Sequence, residues 1–387
     1  MLNIVFVIES LQCGGAEKSL TTLLQNFDFT KYKVDLILFN KGGEFEKFIP
    51  KEVNVIYKPH FGNTNFLTKL LKRIQFWNVK KHQKNKNYHG AQLYWKVFGS
   101  IITVHTKKYD VALAYNQGFS TYYVAEKVTA LRKFSWLNTD YNKAGYNINF
   151  DYKYYSNFNR IVCVSKECEL SLQNEAAIVK KTLPTTIIKD ISDELLISKM
   201  SLENNGLNKE NNTIKLLTVG RLAKAKGYTL AIGACKILID KGKNIKWYVI
   251  GSGPELENIE KLIVKSGVRD HFILLGYREN PYPYIKTCDI YVQTSLFEGL
   301  GLTVIEAAIL KKPIVTTNFP TASGIITHNE TGLICDMTTK AIANNIELLI
   351  NDECLINKFI KNLSKIKNQD KTQSLIKIKE LLSLNYN

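Results

Sequence analysis

Short apolar runs recur along the whole chain, and each is followed by a turn and a segment of helical length. The first half contains NIVFVI, KVDLILF, VNVIY, YDVALAY, KFSWL and RIVCVS, and the second half contains IKLLTV, KWYVI, HFILL, DIYVQ and PIVTT. Strands that alternate with helices predict a largely parallel sheet covered by helices. Because two such series follow one another, the pattern predicts an α/β protein with two Rossmann-like, doubly wound domains.

The length of the chain supports this division. With 387 residues it can form two domains that each bury a core. We predict a first domain over 1–190, a polar, asparagine-rich linker over 191–213 and a second domain over 214–370. A closing helical segment over 371–387 could pack back on the first domain. Ligands commonly bind between domains, so we expect the two domains to face each other across an active-site cleft.

Positive charge is concentrated in the first domain. The chain carries a net charge of +17, and residues 1–190 hold 27 Lys and Arg against 15 Asp and Glu. An insertion at about 58–108 lies in a window, residues 53–109, that has no acidic residue. Its cations alternate with the aromatic residues Phe66, Phe76, Trp77, Tyr88, Tyr94, Trp95 and Phe98. This mixture suits an anionic membrane surface, although nucleic acid attracts the same charge and a merely solvated basic face is a third interpretation.

Cysteine usage and hydropathy bear on the compartment. The seven cysteines are odd in number and scattered without a CxxC pair, which predicts reduced thiols in a cytosolic protein. The opening run NIVFVI is short and has no basic leader, so we expect no signal peptide. No apolar stretch approaches the roughly 20 residues that cross a bilayer. We therefore expect a cytoplasmic protein, either soluble or peripheral to a membrane.

Two loops of the second domain carry possible phosphate contacts. Arg221 and Lys226 lie in GRLAKAKG, directly after the predicted strand IKLLTV, and ligands of doubly wound sheets bind at such carboxyl ends. An arginine can fork to two phosphate oxygens and a lysine adds a point charge, although an exposed basic loop without a ligand is the alternative. Gly251 begins GSGP, which indicates first a tight turn into a helix and second a ligand contact.

The stretch EGLGLTVIE at 298–306 places Glu298 in a loop and Glu306 in the helix that follows DIYVQ. The first amides of that helix are free donors at the positive end of its dipole. These amides belong to Gly301, Leu302 and Thr303. A diphosphate on the helix start, with a carboxylate for a diol on each side, would match a nucleotide sugar. The alternative is that Glu306 merely faces solvent and Glu298 is an ordinary loop acid.

Taken together, these motifs resemble the retaining glycosyltransferases of family GT4, which have the GT-B fold. EGLGLTVIEAA is similar to the family's E-x7-E signature, VGRLAKAKGY to its phosphate-binding loop and GSGP to the next loop. LLGYREN and YIKTCDIYVQTSLFEG resemble its base-side and donor-side segments. In the first domain, GGAEKSL resembles the glycine loop beneath the donor and IVCVS the last strand. The motifs span nearly the whole chain in the family's order.

The resemblance implies roles for the donor-side residues. Arg221 and Lys226 would bind the diphosphate, Glu306 the ribose hydroxyls, and Glu298 the transferred sugar near its 3- and 4-hydroxyls. Arg221, Lys226 and Glu298 would also be the catalytic residues.

Further donor contacts are implied in both domains. Gly14 and Gly15 would let the backbone of the first domain approach the phosphates, and Tyr277 and Arg278 would lie beside the base. The donor would be a UDP- or GDP-sugar.

No metal or other cofactor is expected. The chain has no Asp-x-Asp, so the metal-clamped diphosphate of the other major glycosyltransferase fold has no obvious ligands. None of the histidines has a partner at metal-ligand spacing, and surface or core roles are expected for all six. They are His60, His82, His89, His105, His271 and His328.

The acceptor side departs from the family. Many relatives place a histidine in a segment resembling W-x-H-x-D, whereas residues 136–140 here are WLNTD, with Asn138 at that position. An asparagine donates hydrogen bonds but cannot act as a base near neutral pH. Asp140, and Asn116 with Gln117 after the YDVALAY strand, remain as candidates for contact with the acceptor.

The expected function is transfer of a hexosyl or N-acetylhexosaminyl group, with retention, to a glycan acceptor. The acceptor would be lipid-linked and the enzyme peripheral at the inner face of the plasma membrane, in synthesis of a capsular or other surface polysaccharide. A catalytically weak or inactive glycan-binding protein is the main alternative. Nucleic-acid binding fits the charge but not the paired carboxylates, which would repel phosphodiesters. A dinucleotide oxidoreductase lacks its GxGxxG motif and ribose-binding acid.

Overall fold

The computed structural model describes residues 1–12, 14–62, 64–82, 88–203, 206–207, 212–366 and 370–383. It divides into two compact units. Unit 1 comprises residues 1–191 together with 372–387, and unit 2 comprises residues 192–371. Each unit contains one parallel sheet, so the predicted α/β architecture with two Rossmann-like domains is confirmed.

Unit 1 is built on a sheet of seven parallel strands in the order β3-β2-β1-β4-β5-β6-β7. The strands are β1 Leu2–Ile8, β2 Tyr32–Leu38, β3 Asn54–Tyr57, β4 Lys108–Ala114, β5 Thr129–Leu137, β6 Arg160–Cys163 and β7 Thr185–Ile187. The helices that connect them are α1 Gly15–Gln25, α2 Phe66–His82, α3 Gly90–Phe98, α4 Phe119–Lys127, α5 Ile148–Tyr155 and α6 Lys166–Ile178.

Central strands of unit 1 are apolar along their whole length because both faces of the sheet are covered. In β1, Ile4 and its three successors are completely buried, and Ile4 pairs with Val34 on one side and Val111 on the other. The chain runs outward from β1 to β3 and then crosses to β4. The topological switch point of this sheet therefore lies between β1 and β4.

Unit 2 is built on six parallel strands in the order β10-β9-β8-β11-β12-β13. In chain order its helices and strands are α7 Glu194–Met200, β8 Ile214–Val219, α8 Tyr228–Asp240, β9 Ile245–Ile250, α9 Leu256–Lys265, β10 Phe272–Gly276, α10 Tyr282–Thr287, β11 Ile290–Gln293, α11 Leu302–Ile309, β12 Ile314–Thr317, β13 Leu333–Cys335, α12 Thr339–Asn351 and α13 Glu353–Leu363. The chain runs outward from β8 to β10 and then crosses to β11 on the other side of β8. The switch point of this sheet therefore lies between β8 and β11.

The predicted linker over 191–213 contains more structure than its polar composition indicated. Asp193 caps α7 by accepting a hydrogen bond from the amide of Leu196, and Ile197 belongs to the apolar core of unit 2. Residues 204–205 and 208–211 of the predicted linker lie outside the described residues.

The last helix, α14 Asp370–Ser383, belongs from residue 372 onward to unit 1. Ser374 donates to the carbonyl of Lys189 and Lys377 to that of Ile187, which ties the helix to the end of β7. Its apolar residues Ile378, Leu381 and Leu382 are buried.

The basic insertion between β3 and β4 forms α2 and α3. Phe76 of α2 packs against Tyr94 and Phe98 of α3, with ring centroids 6.1 and 5.5 Å apart. Lys84 and Lys86, which contribute to its charge, lie outside the described residues. None of the helices in the described part of the chain is both long and apolar enough to span a bilayer.

Candidate functional site

The loop after β8 carries Arg221 and Lys226, and its path is fixed by the neighbouring loop after β11. The amide of Leu296 donates to the carbonyl of Ala225 at 2.7 Å, and the Thr294 hydroxyl donates to the carbonyl of Lys226 at 2.9 Å. The two loops therefore meet at the switch point of the sheet, where doubly wound proteins bind ligands.

Gly227 allows this close approach. It adopts φ +61° between a short 3-10 turn at Lys224–Lys226 and the start of α8. A Cβ at this position would lie 2.1 Å from the carbonyl oxygen of Thr294. Only glycine combines the left-handed conformation with the absence of a side chain.

Lys226 and Glu298 form an ion pair across the switch point. The lysine Nζ lies 2.6 Å from Oε1 of Glu298, and the side chains are only 17% and 12% exposed. The same carboxylate oxygen accepts from the Ser295 hydroxyl at 2.6 Å and from the Gln293 amide at 3.2 Å. Within the described part of the chain, no side chain donates to Oε2, so this oxygen is available to a ligand.

Gln293, at the end of β11, orients the carboxylate. The hydroxyl of buried Tyr291 donates to Oε1 of Gln293 at 2.9 Å, and the Thr303 hydroxyl lies 3.4 Å from the same oxygen. Burial raises the pKa of Tyr291 well above its usual range, so the phenol remains a donor. This fixes the amide so that Nε2 faces Ser295 and Glu298. No role was predicted for Gln293 from the sequence, where its signal is an amide at the end of the apolar strand DIYVQ.

Glu306 lies on the buried side of α11. It is 2% exposed, and the hydroxyl of Tyr282 lies 3.4 Å from its Oε1. The alternative that Glu306 merely faces solvent is therefore wrong. A buried carboxylate is costly unless it is hydrogen-bonded or paired, so its presence on this largely apolar helix indicates a specific role.

Gly301 begins α11 in the left-handed region, with φ +86°. A Cβ there would come within 2.8 Å of Ile325. The amides of Val304 and Ile305 both bond to the carbonyl of Gly301, whereas Leu302 and Thr303 occupy the first helical positions, whose amides have no intrahelical acceptor. The helix start predicted to hold an anion is therefore formed as expected.

The other predicted donor contacts lie on the neighbouring loops. Arg221 is exposed, and among the described residues no side chain or carbonyl bonds to its guanidinium. A Cβ at Gly251 would lie 2.0 Å from the carbonyl of Gly220, so the loops after β8 and β9 touch through their backbones. Arg278 is exposed and donates to Tyr284 at 3.2 Å and to the carbonyl of Tyr277 at 3.1 Å, so part of its donor capacity is already used.

In unit 1, Gly14 and Gly15 lie at the start of α1, directly beyond β1. A Cβ at Gly14 would lie 2.1 Å from the carboxylate of Glu17, which places an acid at this helix start. Both glycines flank the switch point of the seven-stranded sheet, and their predicted contact with donor phosphates remains a prediction.

Asn116 and Asn138 are brought together by Gln117. The Gln117 amide N–H donates to Oδ1 of Asn116 at 3.0 Å, and its side-chain oxygen accepts from the Asn138 backbone at 2.9 Å. Nδ2 of Asn138 donates to the carbonyl of Tyr115, while its Oδ1 is buried without a hydrogen-bond partner in the described structure. Such an acceptor would gain from a ligand hydroxyl.

Asp140 is engaged with the protein itself. Its Oδ1 accepts from the Ser171 hydroxyl of α6 at 2.6 Å and from the Lys143 backbone at 3.1 Å. These bonds brace the loop after β5 against α6, which is a structural role that sequence analysis did not foresee.

His89, for which only a surface or core role was expected, and Glu9, for which none was predicted, both lie in unit 1. His89 caps α3 by accepting from the Ala91 amide, and its ring stacks on Tyr146 at 4.1 Å. Burial lowers the pKa of His89 and raises that of Glu9. No local pattern in the sequence pairs His89 with Tyr146, which is more than fifty residues away.

No group of three or more His, Cys, Asp or Glu side chains in the described ranges is arranged to hold a metal ion.

Comparison with known proteins identifies unit 2. Residues 201–366 match the family model described as glycosyl transferases group 1. The matched residues make up most of unit 2. The match contains the whole loop cluster built around Lys226, Glu298 and Glu306.

Two sequence relatives extend the comparison. The capsular polysaccharide biosynthesis glycosyltransferase CapM of Staphylococcus aureus is 34% identical over 172 residues, which are 42% of this chain and 45% of the relative. The aligned part thus spans less than half of that relative's own length. The N-acetylgalactosamine-N,N'-diacetylbacillosaminyl-diphospho-undecaprenol 4-alpha-N-acetylgalactosaminyltransferase of Campylobacter jejuni is 24% identical over 377 residues, covering 94% of both chains.

Solved structures share the fold of the whole chain. The Anabaena protein Alr3699/HepE, crystallised with UDP and glucose, superposes with a TM-score of 0.72 at 19% identity, covering 99% of this chain and 100% of the other. A mutant of Staphylococcus aureus TarM, crystallised with fondaparinux, alpha-GlcNAc-glycerol and UDP, gives a TM-score of 0.71 at 14% identity, covering 99% of each chain. The fold is the GT-B fold that the motifs indicated.

Proposed function

We propose that this protein is a glycosyltransferase that moves a hexosyl or N-acetylhexosaminyl group from a UDP- or GDP-sugar to a glycan acceptor. The observation that carries the proposal is the Lys226–Glu298 ion pair at the switch point of unit 2, linked through Gln293 to the first turn of α11. This cluster combines a cation and a helix start for phosphate with a carboxylate for sugar hydroxyls.

Different residues bind different parts of the donor. The diphosphate binds Arg221, Lys226 and the amides at the start of α11. After one bond to Glu298, the ammonium of Lys226 retains two N–H donors for phosphate oxygens. Oε2 of Glu298 accepts from hydroxyls of the transferred sugar, and Glu306 accepts from the ribose. Tyr277 and Arg278 lie beside the base, and Gly251 allows backbone contact with the donor.

The reaction that fits these groups is a displacement with retention. The acceptor oxygen forms its bond to the anomeric carbon on the face from which the bond to the diphosphate breaks, and the leaving phosphate oxygen takes the acceptor's proton. Arg221, Lys226 and the helix start stabilise the charge that develops on the leaving group. No metal is required in this scheme, so we expect turnover to survive chelation of divalent cations.

The acceptor is a lipid-linked glycan in surface polysaccharide synthesis, handled at the cytoplasmic face of a membrane. Support comes from the named activities of the relatives, since one is a capsular polysaccharide glycosyltransferase and the other, which aligns over 94% of both chains, acts on a diphospho-undecaprenol-linked sugar. In unit 1, the buried and unpartnered Oδ1 of Asn138, together with Asn116, supplies hydrogen-bonding groups for acceptor hydroxyls.

Substitutions that each remove one charge of the ion pair test the proposal. Replacing Lys226 with Met or Glu298 with Gln should lower kcat for transfer or donor hydrolysis by roughly 100-fold to 1,000-fold, because transition-state electrostatics are lost. The matched control is another 2.6 Å ion pair of unit 2, Lys358–Glu330, whose variants Lys358→Met and Glu330→Gln should keep wild-type rates.

The alternative, a glycan-binding protein with weak or no catalysis, makes the opposite prediction. It is motivated by Asn138, which cannot act as a base. Donor hydrolysis at equal rates in the wild type and the Glu298→Gln variant would support the alternative and contradict the enzyme.

A further inference from the structure

Helix α2 exposes an apolar stripe instead of burying one. Its large apolar residues recur at spacings of three and four, so they lie on one face of the helix. Each is at least 40% exposed, and no residue of α2 is buried. The stripe comprises Phe66, Leu67, Leu70, Leu71, Ile74 and Trp77.

The opposite side of α2 is the one that touches the protein. Phe76, on that side, contacts Tyr94 and Phe98 of α3. The helix is thus held to unit 1 by a few partly buried residues while its apolar stripe points outward. An amphipathic helix in a soluble protein normally has the reverse orientation. Contiguous exposed apolar surface of this kind marks an interaction site.

Charge identifies the partner. The helix carries cations and, like the entire stretch from residue 53 to 109, no acidic residue. Its cations are Lys69, Lys72, Arg73, Lys80 and Lys81, and Nζ of Lys81 lies 5.0 Å above the Trp77 ring. Apolar residues including an exposed tryptophan, bordered by lysines, are the composition of a helix that lies in the interface of an anionic bilayer. A second copy of α2 would instead meet this face with like charge.

We propose that α2 docks the protein on anionic lipid bilayers by lying in the plane of the interface, with its apolar stripe among the acyl chains and its lysines at the headgroups. The inference rests on the proposed function in one respect: an enzyme with a lipid-linked acceptor must work at a membrane surface. The docking itself depends only on α2.

Trp77 provides a direct readout of this contact. The chain has four tryptophans, and Trp77 is 61% exposed whereas Trp95, Trp136 and Trp247 are at most 3% exposed. Vesicles of phosphatidylcholine with phosphatidylglycerol should shift the fluorescence to the blue and protect it from acrylamide. Vesicles of phosphatidylcholine alone should change it much less. In the Trp77→Phe variant the fluorescence change should vanish while vesicle co-sedimentation persists.

Substitutions separate the apolar contribution from the charge. The triple variant Leu67→Ser/Leu71→Ser/Ile74→Ser should lower the vesicle partition coefficient by at least roughly ten-fold. Lys80→Gln/Lys81→Gln should lower it by roughly five-fold per lysine at low ionic strength. The matched control variants change residues of unit 1 that are exposed but lie outside α2. Leu131→Ser/Ile178→Ser and Lys33→Gln/Lys51→Gln should bind vesicles like the wild type.

Two outcomes would overturn the proposal. One is vesicle binding that leaves Trp77 as accessible to acrylamide as in solution. The other is concentration-dependent self-association that buries Trp77 without lipid, which would assign the stripe to a second copy. Donor hydrolysis measured without vesicles distinguishes failure of the docking proposal from failure of the proposed function. The α2 variants should hydrolyse the donor at the wild-type rate. If the wild type did not hydrolyse the donor, the proposed enzyme activity would be contradicted, but the docking result would stand.

Discussion

The two carboxylate oxygens of Glu298 have different surroundings. Oε1 accepts from Lys226, Ser295 and Gln293, whereas no described group of the protein donates to Oε2. Three donors fix the orientation of the carboxylate, so Oε2 can accept from a ligand without rearrangement. In the proposed function, the pair Lys226–Glu298 would be a pre-formed contact between the cation that binds phosphate and the anion that binds sugar.

Glu298 and Glu306 should separate kinetically, because only Glu298 belongs to the ion pair. Glu306→Gln should weaken binding of UDP or GDP roughly ten-fold, the usual loss for one charged hydrogen bond, with a smaller effect on kcat. Glu298→Gln should mainly lower kcat. Calorimetric titration with the nucleotide and steady-state rates with the nucleotide sugar measure the two effects. The reverse pattern would mean that the two acids have exchanged roles.

The conformation of the loop between β8 and α8 depends on Gly227. In Gly227→Ala, a left-handed alanine costs about 1–2 kcal/mol and its Cβ also collides with the Thr294 carbonyl. Gly242→Ala is the matched control, since Gly242 has φ +72° but a Cβ added there would have nothing within 4 Å. Urea unfolding should show a larger loss for Gly227→Ala, and the excess measures the contact between the two loops. Equal losses would contradict the close approach.

The outward stripe of α2 contrasts with the other helices of unit 1. In α1, six successive residues from Ser19 to Leu24 are buried against the sheet, whereas α2 buries none. The helix therefore contributes little to the core, and its sequence is free to serve a surface. This is why substitutions in the stripe should alter membrane binding without altering stability.

Unit 1 contains a buried carboxyl group close to the point in the sequence where unit 2 begins. Asp190 accepts from the Ser19 hydroxyl at 2.6 Å, and Ser19 also bonds to Tyr115 at 3.0 Å. Burial raises the pKa of Asp190 from 3.8 to about 7. The folded protein thus keeps a proton that the unfolded chain releases at about pH 4.

This buried acid predicts a dependence of stability on pH. Because the native state holds more protons than the unfolded state between about pH 4 and pH 7, the free energy of unfolding should fall as pH rises through that window, by at most about 4 kcal/mol from Asp190. Asp190→Asn keeps an acceptor for Ser19 but does not titrate. Urea unfolding at about pH 5 and about pH 8 should therefore show a smaller loss for the variant than for the wild type. Equal losses would mean that Asp190 does not control the effect.

The alternation of strands and helices was predictable because it arises from local periodicity. Eleven apolar runs became strands, while β7 and β13 were missed because each has only three residues and gains its pairing from the sheet edge it joins. The loop and helix-start positions of Lys226, Glu298 and Gly301 could also be predicted, since turns and helix starts depend on short stretches of sequence, whereas their roles as site residues stay predictions.

What could not be predicted depends on pairs of residues that are distant along the chain. The Lys226–Glu298 ion pair spans 72 positions and arises because β8 and β11 are neighbours in the sheet. The burial of Glu306, the support of Gln293 by Tyr291 and the bond from Ser171 to Asp140 likewise follow from packing. Composition showed that the insertion is basic and aromatic, but periodicity cannot tell which face of α2 meets the protein. Tertiary packing decides that, because Phe76 is held by α3 and the apolar stripe is left outside.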